Sequence, residues 1–181
     1  MKKATWAAGV LVVVALGTYL IAGNLQKEET ALPSGDHINI KQLVEDIGAG
    51  KVSAQSASID AKTLTVVGND GQSADYDLPE DAFFLSIAPY VQQTHPCEIH
   101  SLTGCQGEMK NEDFLVTILD SEGNTLMKDS SLKTASNGFV DIWLPRDRSY
   151  LVKMVHDGKV AEAQISTYDQ DNTCITTMQL S

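Results

Sequence analysis

Turn signals recur at short intervals through the second half of the chain, and they constrain its fold more than any other feature. Glu122-Gly123-Asn124, Asn137-Gly138 and Asp157-Gly158 carry the residues that tolerate the left-handed backbone of tight turns. Between them lie short apolar or alternating runs at residues 114–119, 125–128, 139–144, 150–155 and 160–166, and residues 174–180 close the chain. In the first of these runs, Leu115-Val116-Thr117-Ile118 is rich in branched side chains, which suit a pleated, half-buried surface. About six short strands with regular turns predict an all-β, sandwich-like domain over residues 94–181.

The first half reads differently. Asn39 is suited to cap a short helix, with Gln42 three residues on. Ile40, Leu43, Val44 and Ile47 then fall on one helical face, and Gly48 and Gly50 stop it. A helix of about ten residues does not stand alone and needs a surface to pack on. Residues 64–67 and 73–78 flank Asn69-Asp70-Gly71 and predict a hairpin that supplies this surface, followed by an apolar segment over residues 83–91. Residues 37–93 are thus expected to form a small α+β domain, and the whole chain an α+β fold. At that size a core is marginal, so dimerisation or docking on the second half is expected to support it.

Ahead of these domains, Lys2 and Lys3 precede an apolar run over residues 7–22, and polar sequence begins at Asn24. This is the pattern of a secretory signal. The run is slightly short of the ~20 residues of a membrane-spanning helix. Leu20 occupies the position three before a cut after Ala22, where a small residue is preferred. Residues 1–25 are therefore read as a signal peptide or a membrane anchor, and residues 26–36 as a polar linker. Both place the remaining chain outside the cytoplasm, with membrane attachment only if the segment stays uncleaved. The net charge of -11 repels phosphate backbones and argues against a nucleic-acid partner.

Chemistry concentrates on three cysteines, Cys97, Cys105 and Cys174. Their spacing matches no zinc-finger or thioredoxin pattern. One reading is a Cys97–Cys105 disulfide that pins a loop in an oxidising compartment. It leaves Cys174 as an odd thiol, which in an exported chain calls for dimerisation, redox work or a metal. The other reading gathers all three around one ion. His100 follows Cys97 by three residues and is the favoured imidazole. His95 precedes Pro96, whose ring holds its backbone extended, and it ranks below His100 as a candidate ligand. His37 and His156 lie near turns in unrelated segments and are read as surface residues. Met178 is read as core. Four residues of strand separate it from Cys174 by about 13 Å, whereas two ligands of one ion lie within about 4–5 Å of each other. No Ser-His-Asp order, Walker loop, dinucleotide-binding glycine pattern or zinc-protease motif is present. No enzyme activity is predicted beyond a thiol-dependent reduction of Cu²⁺. If the thiols converge, their softness and wide spacing favour Cu⁺ over a structural zinc.

At these same residues the chain resembles the CueP family of periplasmic copper-binding proteins. The resemblance is carried by Phe84-Leu85-Ser86-Ile87-Ala88-Pro89-Tyr90, Thr94-His95-Pro96-Cys97, His100-Ser101-Leu102-Thr103, Cys105 with Gly107-Glu108, Ile142-Trp143-Leu144-Pro145-Arg146-Asp147 and the stretch from Thr173 through Leu180. It implies that Cys97, Cys105 and Cys174 bind copper and that a histidine near the first cysteine, His100, assists. It also implies two domains with dimer formation through the N-terminal one, a homodimer in the periplasm, and a role in copper resistance by handing copper to envelope proteins. The rival expectation is a structural envelope β-sandwich with the Cys97–Cys105 bridge.

Overall fold

The structure, a computed structural model, describes residues 32 and 38–181. The expected signal or anchor over 1–25, almost all of the linker and His37 lie outside the described residues. Among the described residues no helix is long and apolar enough to cross a membrane.

The helix forms where the sequence places it. In α1 (Ile40–Gly48) the Asn39 side chain accepts from the Gln42 backbone N–H at 3.2 Å, and Leu43, Val44 and Ile47 are buried. It is the only helix among the described residues, and this corrects the expected α+β class. The protein is mostly β, with strands dominating the N-terminal half as well. There, β1 (Ser56–Ile59), β2 (Thr63–Val67) and β3 (Ser73–Asp77) form antiparallel pairs, and β5 (His100–Ser101) adds to the free edge of β1. The physical reason is that nine helical residues bury three side chains, while the adjoining strands and loops supply Ala57, Ile59, Leu64, Val66, Tyr76, Leu78 and Leu102 to the same core. β1 escaped notice because its sequence, Ser-Ala-Ser-Ile, alternates small residues and only its last shows a bulky β-former.

The second half contains five of the expected strands, while the one expected over residues 174–180 is confined to Cys174–Ile175. β6 (Asp113–Asp120), β7 (Thr125–Lys133), β9 (Ser149–His156) and β10 (Lys159–Ser166) make one antiparallel sheet in the order β10-β9-β6-β7. A further sheet has β4 (Ala82–Ile87) at its centre, antiparallel to β8 (Val140–Pro145) and parallel to β11 (Cys174–Ile175). Two sets of pairings, β1 with β5 and β4 with both β8 and β11, join residues on either side of position 93.

β4 decides how the layers meet, because all six of its residues are buried. Successive strand side chains point to opposite faces. Phe83, Leu85 and Ile87 enter one core with Val116, Ile118, Ile142, Leu144, Val152 and Met154. Phe84 points the other way, into the core of α1 and β1–β3, where its ring meets Trp143 edge-on at 5.2 Å. Met178 is 1% exposed within the first core, so it is core as expected. Cys174 belongs to a different apolar cluster, because the strand ends at Ile175 and the two residues do not share a strand face.

Removing the Phe84 ring should therefore loosen the helix-bearing layer while the β6–β10 core keeps its contacts. Phe84→Ala is expected to cost about 3–5 kcal/mol, read as a lower midpoint in urea unfolding followed by circular dichroism.

Candidate metal centre

The three sulfurs come together from distant parts of the chain, through backbone hydrogen bonds that the sequence does not advertise. The Glu98 carbonyl accepts from the N–H groups of both Thr173 and Cys174, at 3.0 and 3.2 Å. Thr173 is buried, and its hydroxyl donates to the Ile59 carbonyl at 2.6 Å while accepting from the His100 N–H at 3.1 Å. These four contacts hold the start of β11 against β1 and β5 and deliver Cys174 to the loop that carries Cys97. Cys97 and Cys174 are joined as a disulfide with Cα atoms 5.6 Å apart, and Cys105 is the free thiol. The bridge expected between Cys97 and Cys105 is thus replaced by one between Cys97 and Cys174. Cys105 Sγ still lies 3.5 Å from Cys97 Sγ and accepts from the Ser101 N–H at 3.3 Å.

Both loop histidines reach this cluster. One ring nitrogen of His100 lies within 4.8 Å of the Cys105 and Cys174 sulfurs, and one of His95 lies within 4.8 Å of those of Cys97 and Cys105. His95, ranked below His100 because of Pro96, thus lies within reach of the sulfurs as well. Phe139 packs between the two imidazoles, with ring centroids 4.7 Å from His100 and 6.4 Å from His95. His156 is elsewhere, at the end of β9, where its Nδ1 meets the Asp113 carbonyl at 2.9 Å.

His100 is fully buried. Burial first, and the nearby His95 second, pull its pKa down to about 4, so the ring is neutral near pH 7 and keeps a lone pair. Its Nε2 lies 3.3 Å from the Ser86 hydroxyl. Its Nδ1 has no hydrogen-bond partner and is the buried orphan polar atom among the described side chains. A buried unpaired nitrogen is costly, and a metal ion is a ligand that would satisfy it. Once the Cys97–Cys174 bond is reduced, three thiols and two imidazoles form a soft donor set that fits Cu⁺ or Zn²⁺ by type, with copper the softer match.

Ser86 was missed from the sequence. Its signal was present, as a hydroxyl within an apolar run where every neighbour is buried. Asp141, to which Ser86 donates a hydrogen bond, was hidden because alternating polar residues in a strand normally mark the solvent face. Gly107 and Gly138 also matter. A Cβ on either would meet the other's carbonyl oxygen at 2.7 Å, so the Cys105 loop lies directly on the turn that carries Phe139.

A mostly β scaffold that gathers thiols and imidazoles around an unsatisfied buried nitrogen defines a protein with a candidate soft-metal site. The chain belongs to the CueP family: the model described as "Periplasmic copper-binding protein CueP" matches residues 39–179. The crystal structure of S.CueP is similar at 33% identity and a TM-score of 0.72, covering 92% of this chain and 99% of that one. No curated protein matches the chain. The family is a periplasmic copper-binding one, and this chain is accordingly a periplasmic protein of a copper-binding family.

The loop around the site rests on Glu108, three residues after Cys105. One of its oxygens accepts from the backbone N–H groups of Val91, Gln92 and Gln93, at 3.1, 2.9 and 2.8 Å. The bonds from Gln93 and then Gln92 hold the carboxyl below its usual 4.5. A carboxyl depressed in the folded state stabilises the fold above its unfolded pKa and loses that contribution as pH falls. The stability difference between the wild type and Glu108→Gln should be about 1 kcal/mol at neutral pH, discounted for exposure. It should shrink as pH drops below 4.5. Urea titrations of both proteins between neutral and acid pH measure it.

Proposed function

We propose that the protein holds one Cu⁺ through Cys97, Cys105 and Cys174, with His100 as an auxiliary ligand, and hands it to other envelope proteins as part of copper resistance. The observation that carries this reading is the clustering of the three sulfurs beside a neutral, buried His100, which lies within 4.8 Å of the Cys105 and Cys174 sulfurs and whose Nδ1 has no hydrogen-bond partner. Thiolate is the binding form, so a bound cation displaces the thiol protons and affinity falls as pH drops. The site's widely spaced residues are assembled by the fold, which suits a protein that loads and releases metal. Dimerisation through residues 37–93 belongs to the same reading; light scattering on the full chain should find two chains per particle.

The disulfide favours a second reading, thiol-dependent reduction of Cu²⁺. Two thiols at Cys97 and Cys174 are close enough to oxidise together. Forming their S–S bond releases two electrons and two protons and converts two Cu²⁺ to two Cu⁺. Cys105 and the histidines remain to hold one product ion, and an external thiol donor must restore the pair. Copper reduction sustained through many cycles by an added dithiol would establish this activity; a single stoichiometric burst would confine the protein to binding.

Cys174→Ser is the sharpest test of the three-thiolate site, because Cys174 is 77 residues from Cys97 in sequence. Under strict reduction its Cu⁺ affinity should fall by about a hundredfold or more, beyond the range for outer partners of a metal ligand. His100→Ala should cost less, since imidazole is the harder and more replaceable donor. Competition against a Cu⁺ chelator measures both, and wild-type affinity in Cys174→Ser would overturn the model.

A further inference from the structure

Three side chains occupy one row of the β11-β4-β8 sheet. Cys174 is the register partner of Ser86, and Ser86 is the register partner of Asp141. In-register neighbours project from the same face of a sheet, so a thiol, a hydroxyl and a carboxylate stand side by side there. The Ser86 hydroxyl is fully buried and donates to Asp141 Oδ1. The Ser86 Oγ also lies 3.3 Å from His100 Nε2. Asp141 itself is open to solvent, recessed in a cleft lined by Lys41, Glu45, Gly48 and Trp143.

A serine hydroxyl has one proton and two lone pairs. With that proton given to Asp141, its oxygen meets His100 only as an acceptor. Nε2 must then carry the ring proton. In a neutral imidazole the other nitrogen is left bare, and here that nitrogen is the unpartnered Nδ1.

We infer that Ser86 and Asp141 are positioning residues: the Asp141–Ser86–His100 chain sets the His100 tautomer and turns its Nδ1 lone pair to the thiol cluster. This rests on the copper reading above. A carboxylate behind a ligating histidine is a common way of fixing ring orientation and raising basicity. Here a serine is interposed, because the carboxylate stands on the strand beyond β4 and cannot reach the ring itself. The arrangement links a solvent-facing group to a buried metal ligand without opening the site to water.

The test uses the full chain, reduced and metal-free, with ¹⁵N-labelled histidine. Nitrogen shifts and proton–nitrogen couplings distinguish the two neutral tautomers of His100. The expected result is the Nε2–H form in the wild type and a mixture in Ser86→Ala and in Asp141→Ala. The second variant changes an exposed residue that touches no sulfur, so it guards against misfolding of the first. Cu⁺ affinity, read by chelator competition, should fall about tenfold in both variants. An Nδ1–H form in the wild type, or an unchanged tautomer in both variants, would overturn the inference. The copper reading would survive that result if Cys174→Ser still lost affinity. Wild-type protein that binds no Cu⁺ would defeat the copper reading and the role assigned to the chain of hydrogen bonds, whatever the tautomer.

Discussion

The burial of β4 on both faces is the constraint on which the rest of the structure depends. A strand with one solvated face can be polar on alternate residues, but this one has no solvated face. Its odd-numbered residues close the core shared with β6, β8 and β9. On the other face, Phe84 meets the helix-bearing layer and Ser86 stands opposite Cys174, with Ala88, just beyond the strand, in the sulfur cluster. One strand therefore fixes the distance between the apolar interior and the candidate metal site, and a displacement of β4 would be felt in both. A hydroxyl in such a strand is tolerable only if hydrogen-bonded, and Ser86 meets that condition through Asp141 and His100.

The site illustrates how a fold can keep soft ligands available without a local motif. Each contributor is anchored by a hydrogen bond: Cys174 N–H to the Glu98 carbonyl, His100 N–H to the Thr173 hydroxyl, and the Cys105 sulfur from the Ser101 N–H. Apolar contacts from Phe139 and Ala88 surround the sulfurs. This holds water back and leaves the imidazole of His100 neutral. Among the described residues, the one buried side-chain polar atom left unsatisfied is on a residue of this cluster. Elsewhere the described buried side chains find partners, so the deficit marks the place where a ligand brings a free-energy gain.

Sequence reasoning reached the site's members more easily than its arrangement. The odd cysteine count and the nearness of His100 to Cys97 pointed to a common centre. Proximity in sequence, however, suggested Cys97 and Cys105 as the bonded pair, whereas the parallel pairing of β11 with β4 brings Cys174 to Cys97. His95 ranks below His100 on the strength of Pro96, a local argument about backbone that says nothing of where the chain turns next. Ser86 and Asp141 were passed over because each fits a bland pattern when read along its own strand. Only their register against one another gives them a shared role.

What the sequence determined by itself were the features that depend on residues close in the chain. Asn39 and the Ile40-Leu43-Val44-Ile47 stripe sufficed for α1, the Gly-containing turns for the hairpins β2–β3 and β9–β10, and the thiol count for soft-metal chemistry. The tertiary structure decided the rest. It made the N-terminal half a β layer with one helix, inserted β5 beside β1, and set Cys174, Ser86 and Asp141 in a single row. The physical reason is that strand partners are chosen by burial and by hydrogen bonds between segments far apart in the chain, such as β4 and β11. Local propensity, which acts over a few residues, carries no record of them.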